Sequence, residues 1–162
     1  LEWLLAHPYF ARPAPKTTGH EEFGSHYFGT AWSKAETLGC TREDLVATLT
    51  QLTARTIAAS LPDGIERVVV SGGGAHHVTL LRMLADALRE RFRQAPVISL
   101  SDDFGLPVDA KEAMAFALLG FLALRGEYNN LPASTGAKNR VVLGKIVPGS
   151  NYRALMQSLW QS

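Results

Sequence analysis

The run Val68-Val69-Val70-Ser71-Gly72-Gly73-Gly74-Ala75 constrains this chain more than any other stretch. Three branched apolar residues in a row are the pattern of a short strand covered on both faces, as in a parallel sheet. Three glycines directly after it predict a tight turn of bare backbone. From Val78 onward, Leu81, Leu84, Leu88 and Phe92 recur at helical spacing, while Arg82, Asp86, Arg89, Glu90 and Arg93 occupy the rest of the cylinder. A strand that runs through naked amides into a helix presents N–H groups and the positive end of a helix dipole to an anion, and phosphate is the usual occupant. A tight turn of purely structural purpose would use the same residues.

The flanking sequence extends the same alternation. Thr41 opens a helix with Asp44 three residues on as a capping box, and Leu45, Leu49, Leu52 and Thr56, beside Val46, Thr53 and Ile57, form its apolar face up to Leu61-Pro62-Asp63-Gly64. Ala95-Pro96-Val97-Ile98-Ser99-Leu100-Ser101 reads as a second buried strand, stopped by Gly105 and Pro107. Residues 109–125 predict a helix that is apolar on nearly every side and therefore buried, with Asp109 and Glu112 spaced as a D-x-x-E capping box at its start. Arg140 to Val147 is β-rich and reads as a third strand. Helix and strand in alternation predict an α/β fold with a largely parallel sheet flanked by helices, whose carboxyl edge is where ligands of such folds usually bind.

Prolines at 8, 13 and 15 and glycines at 19 and 24 make residues 1–40 read as an extended arm packed on the α/β lobe. The lobe itself spans 41–149, and 150–162 forms a tail with helical character. The single Cys40 reads as a half-buried helix-entry residue and fits a reducing cytoplasm. Sixteen basic and fifteen acidic residues, without a run of either sign, exclude the footprint of a nucleic-acid or membrane-surface binder. No apolar stretch reaches the length of a membrane span, and the amino terminus carries no recognisable leader.

Two phosphate motifs can be weighed directly. A Walker loop is absent, because no Gly-Lys-Ser/Thr follows the glycines. A dinucleotide fingerprint is matched by Gly72 and Gly74, with Asp102 and Asp103 after the second strand, but His77 stands where the third glycine belongs. A dinucleotide-binding domain of an oxidoreductase and a non-catalytic interaction module therefore remain as alternatives.

Four segments together, "PKTTGHEEF", "VVVSGGGAHHVTLLRML", "DDFGLPVDAKEAMAFALLG" and "NLPASTGAKNRVVLGKIVPG", closely resemble in order and spacing the carboxy-terminal half of the bacterial anhydro-N-acetylmuramic acid kinase family, over residues 5–149. The resemblance implies the second lobe of a ribonuclease-H-like, actin-like ATPase fold, its sheet incomplete within this chain. It implies a cytoplasmic enzyme that uses ATP and Mg2+ to open and phosphorylate 1,6-anhydro-N-acetylmuramic acid, giving N-acetylmuramic acid 6-phosphate in cell-wall recycling. Gly72, Gly73, Gly74 and Ala75 are then the nucleotide-contacting turn, and Glu112 touches the sugar. His77 departs from the small polar residue expected there, and the histidine pair His76 and His77 reads as helix-start or surface. Lys16, Thr17, Thr18, Thr135 and Gly136 are family signatures without a derivable role. The catalytic aspartate and the first-lobe phosphate loop precede the region represented, so no catalytic base and no metal ligand is assigned here. The implied partners are the anhydro amino sugar, the first lobe of the same enzyme and, among possible assemblies, a second copy in a homodimer.

Overall fold

The computed structural model describes residues 1–13 and 15–160, so the last two residues of the expected tail lie outside the described residues. The chain divides into two units, Leu1–Asp109 and Ala110–Ser162.

In the first unit, the segment expected to be an extended arm is largely helical: α1 (Glu2–Leu5), α2 (Pro8–Ala11), α3 (His20–Phe23) and α4 (Ser25–Thr37). The prolines limit these helices without forbidding them. Pro8 sits in the first turn of α2, where its missing N–H costs nothing, and the His7 imidazole caps that helix by accepting from the Tyr9 amide at 3.3 Å. Rings of His7, Phe10, Phe23 and Tyr27 meet at centroid distances of 4.9 to 6.1 Å and tie α2, α3 and α4 together. Cys40 is exposed rather than half-buried.

Helix α5 (Arg42–Ser60) begins as predicted. Thr41 accepts from the Asp44 amide at 3.1 Å, and the Asp44 carboxylate accepts from the Thr41 amide at 2.9 Å. Its buried face differs in part from the expected one: Leu45 and Leu52 are buried, but so are Ala54 and Ala58, while Val46 is exposed. The alanines are what let α6 (Val78–Arg91) pack close against α5. Ala54, Ala58, Leu84, Ala87 and Leu88 form one buried cluster, with Val68 and Ile98 packed against it from the sheet. A second cluster of Leu4, Ala31, Ala35, Leu45 and Leu52 joins α1, α4 and α5.

Strands β1 (Arg67–Val70) and β2 (Val97–Leu100) pair in parallel, Arg67 opposite Val97 and Val70 opposite Leu100. The fold is thus α/β, a small parallel sheet flanked by helices. The helices pack on one face of the strands, toward which Val68 and Ile98 turn; on the other, Val69 and Val97 are 51% and 58% exposed while Ser99 is buried and accepts from Arg67 at 2.8 Å.

In the second unit, α7 (Lys111–Leu124) forms where predicted but buries none of its residues. Met114, Phe116, Leu118 and Phe121 are exposed. Short α8 (Pro132–Thr135) and α9 (Tyr152–Trp160) follow. The third strand expected over Arg140–Val147 does not form. Its backbone is paired mainly by side chains, beside one backbone bond from the Asn129 amide to the Val141 carbonyl at 3.3 Å. The Asn129 side chain accepts from the Leu143 amide at 2.6 Å and donates to the Leu143 carbonyl at 2.9 Å, and Asn130 accepts from the Val141 amide at 2.8 Å. Gly144, at φ 124°, then leaves the extended region altogether.

Candidate functional site

Parallel pairing brings the carboxyl ends of β1 and β2 to one edge of the sheet. After β1 the chain enters Gly72 at φ 75° and ψ −169°, a conformation essentially confined to glycine. A single turn of 3-10 helix, Gly73–His76, follows, in which the Ala75 amide donates to the Gly72 carbonyl at 2.9 Å. A Cβ built on Gly72 or Gly73 meets nothing within 4 Å, and one on Gly74 meets only the Leu80 side chain at 3.9 Å. Packing therefore does not require glycine at position 73: the space above it is open. Gly73 and Gly74 are exposed, and their amides occupy the first turn, where a helix has no acceptor of its own to offer. Ala75 is buried and anchors the turn from beneath.

Two bonds hold this turn to the segment before Ala110. The Gly72 amide donates to the Val108 carbonyl at 2.9 Å, and His76 Nε2 meets Asp109 Oδ1 at 2.8 Å. This pairing corrects the D-x-x-E reading. α7 has Ala110 at its cap position with no side-chain bond, because the Asp109 carboxylate is engaged elsewhere. The other histidine has the helix-start role expected of the pair: His77 Nδ1 accepts from the Leu80 amide at 3.1 Å and caps α6.

On the neighbouring loop, Asp103 accepts from the Leu100 amide at 3.1 Å, the Leu106 amide donates to the Ser101 carbonyl at 3.1 Å, and Gly105 closes the turn at φ 75°. Ser101 is 2% exposed, and its hydroxyl is buried without a hydrogen-bond partner among the described residues.

Other sequence-predicted residues of the first unit lie apart from this edge. Lys16 donates to the carbonyls of Tyr9 and Phe10 at 3.3 and 3.0 Å, satisfying the last turn of α2. Thr18 bonds Glu22 at 3.4 Å. A groove of about 1060 Å³, lined by Phe10, Lys16, Phe23, Tyr27, Leu52 and Ile57 among others, includes none of the glycine-turn residues. In the second unit, Glu112 is exposed in the first turn of α7, and Thr135 donates to the Leu131 carbonyl at 3.1 Å, with Gly136 at φ 74° ending α8. Among the described residues no three His, Cys, Asp or Glu side chains converge on a metal position, and no helix is long and apolar enough to cross a membrane.

The His76–Asp109 contact had no sequence signal, since its partners stand 33 residues apart. The lysine of "PKTTG" carried one: a basic residue shortly after a short helix is placed to meet its terminal carbonyls.

Strand, bare glycine turn and following helix at the carboxyl edge define a small parallel α/β unit. Its lineage is specific. Residues 1–149 match the family described as anhydro-N-acetylmuramic acid kinase, and the chain belongs to that family. It is similar to proteins of that name from Streptomyces coelicolor, 46% identical over 152 residues, and Streptomyces avermitilis, 47% identical over 150. The similarity covers 92% of this chain in both cases but 37% of each relative. A third, from Rhodococcus erythropolis, is 45% identical over 93% of this chain and 36% of its own length. The chain thus spans little more than a third of these relatives rather than half.

Proposed function

We propose that this chain supplies the nucleotide side of an ATP-dependent kinase that opens 1,6-anhydro-N-acetylmuramic acid and phosphorylates it to N-acetylmuramic acid 6-phosphate in the cytoplasm. The observation that carries the reading is the turn of Gly72, Gly73, Gly74 and Ala75 at the carboxyl edge of β1 in a chain of this family. Open space above Gly73 and Gly74 lets a phosphate or ribose reach the backbone, which any side chain there would obstruct.

In the reaction, water adds at C1 of the sugar as a base removes its proton, the bond from C1 to O6 breaks, and O6 takes the γ-phosphoryl group of ATP, whose bond to the β–γ bridging oxygen breaks to release ADP. This chain's part is to hold the nucleotide. No base is assigned to its residues, and Glu112 is proposed to contact the sugar from the start of α7. Mg2+ would enter with the triphosphate, which supplies most of its ligands, rather than into a cage of this chain's carboxylates. The parallel β1–β2 pair, uncovered at Val69 and Val97, and the exposed apolar helix α7 support a lobe, residues 41–149 of an actin-like fold, that is completed by further structure. That uncovered surface also favours self-association, including a homodimer.

The test is transfer of labelled phosphate from ATP to the anhydro sugar. The purified chain alone is expected to bind ATP weakly and to transfer nothing, because half a cleft cannot hold both reactants in line. Adding the separately expressed remainder of the Streptomyces coelicolor relative should restore turnover. Binding of NAD without binding of ATP would replace this reading with the dinucleotide one.

A further inference from the structure

The glycine turn is fastened at both ends to one short segment. Gly72 at its start bonds Val108, and His76 at its end bonds Asp109, so two adjacent residues bracket Gly73, Gly74 and Ala75. Ala75 is buried and His77 is committed to capping α6, which leaves the exposed Gly73–Gly74 backbone as the part of the turn whose position depends on those two fastenings. The Gly72 bond joins two backbone groups and uses no side chain. The His76 bond depends on two side chains, one of which was free to cap α7 and does not.

We infer that His76 and Asp109 are positioning residues for the nucleotide turn: their side-chain bond holds the Gly73 and Gly74 amides in the arrangement that receives ATP, without touching ATP themselves. The inference rests on the proposed reading of the turn as a nucleotide site. A merely stabilising role is a poor account of the pair, because the side chains are 62% and 76% exposed, and polar side-chain pairs so open to water contribute little to global stability. What such a pair can do is restrict a short, glycine-rich segment that has little side-chain packing of its own.

The experiment uses the 162-residue protein and the variants His76→Ala, His76→Gln, Asp109→Ala and the double alanine variant. Glutamine keeps an N–H donor near the position of Nε2. Three quantities are measured: the ATP dissociation constant by calorimetry, amide exchange of Gly72 to Ala75 by NMR, and the melting temperature. Each single alanine variant should weaken ATP binding by roughly threefold to fivefold, in keeping with one exposed hydrogen-bonded pair. The double variant should be no worse than either single one, since both remove the same bond. His76→Gln should recover most of the affinity, the Gly72 amide should exchange faster in the alanine variants, and melting should hardly move.

Unchanged ATP affinity in both alanine variants, or losses that multiply in the double variant, would overturn the positioning role. If the unaltered protein binds no ATP, the nucleotide reading fails and the positioning role fails with it. Exchange at Gly72 still reports separately whether the side-chain bond restrains the turn.

Discussion

The amide of Gly72 donates to the carbonyl of Val108, 36 positions further along the sequence, at 2.9 Å, with Gly72 in a backbone conformation that other residues avoid. Gly72 and Gly73 are therefore glycines for different reasons. Replacing Gly72 with alanine should cost about 1–3 kcal/mol through backbone strain and lower the melting temperature. Gly73 has no positive φ and no neighbour within 4 Å of an added Cβ, so Gly73→Val should melt near the unaltered protein and yet bind ATP several times more weakly. Thermal melts paired with ATP titration separate the two. A Gly73 variant with full affinity would make the turn structural only.

Leu88 is 1% exposed within the cluster that joins α5, α6 and the sheet. Leu88→Ala should destabilise the protein by about 2–5 kcal/mol, the sum of lost burial and an unfilled cavity. Val69→Thr, on the uncovered face of β1, should change stability by less than about 0.5 kcal/mol. Chemical denaturation of the two variants measures the contrast directly.

The Asp44 carboxyl titrates below its ordinary range because it accepts hydrogen bonds from the backbone amide and then the hydroxyl of Thr41. A depressed folded-state pKa means that the contribution is fully present above the unfolded value of about 3.9 and is lost as pH falls through the folded value. Thr41→Ala or Asp44→Asn should thus lower the melting temperature at pH 7. The gap from the unaltered protein should narrow as the pH drops below about 4. A gap that stays constant down to the acid limit would mean that the cap does not titrate with the fold.

Asn129 bonds the Leu119 carbonyl at 3.0 Å and both backbone groups of Leu143, so one side chain stands in for a strand neighbour. Asn129→Leu should release residues 141–143, seen as faster amide exchange at Leu143 and earlier proteolytic cleavage there. Asn129→Asp keeps the acceptor but loses the donor, and should retain protection at the Leu143 amide. Equal protection in all three proteins would show that the side-chain ladder is not what orders the segment.

Residues that act on near neighbours in sequence were legible before any coordinates. The capping box at Thr41 and Asp44 closes over three residues, the branched runs at 68–70 and 97–100 become strands, and three glycines make an exposed turn. Each is decided by local sterics and short loop closure, so the pattern of residue types suffices. Family membership was readable for the same reason, in four motifs at fixed spacing. The helices within residues 1–40 were missed because their turns are only partly local: α2 is begun by a proline and held by rings from α3 and α4 that meet only after folding.

Longer-range commitments could not be read this way. Asp109 stands at capping distance from Glu112, but its carboxylate bonds His76, and only the folded chain brings that competing partner within 2.8 Å. Arg140–Val147 has the composition of a strand, yet strand formation requires a ladder of backbone bonds, and here one such bond, from Asn129 to Val141, is supplemented by asparagine side chains. The apolar circumference of α7 announced burial, yet none of its residues is buried. Local residue types set caps, turns and helical faces because those free energies are settled within a few residues. Which groups finally meet depends on closing loops of tens of residues and on what surface is present to cover them.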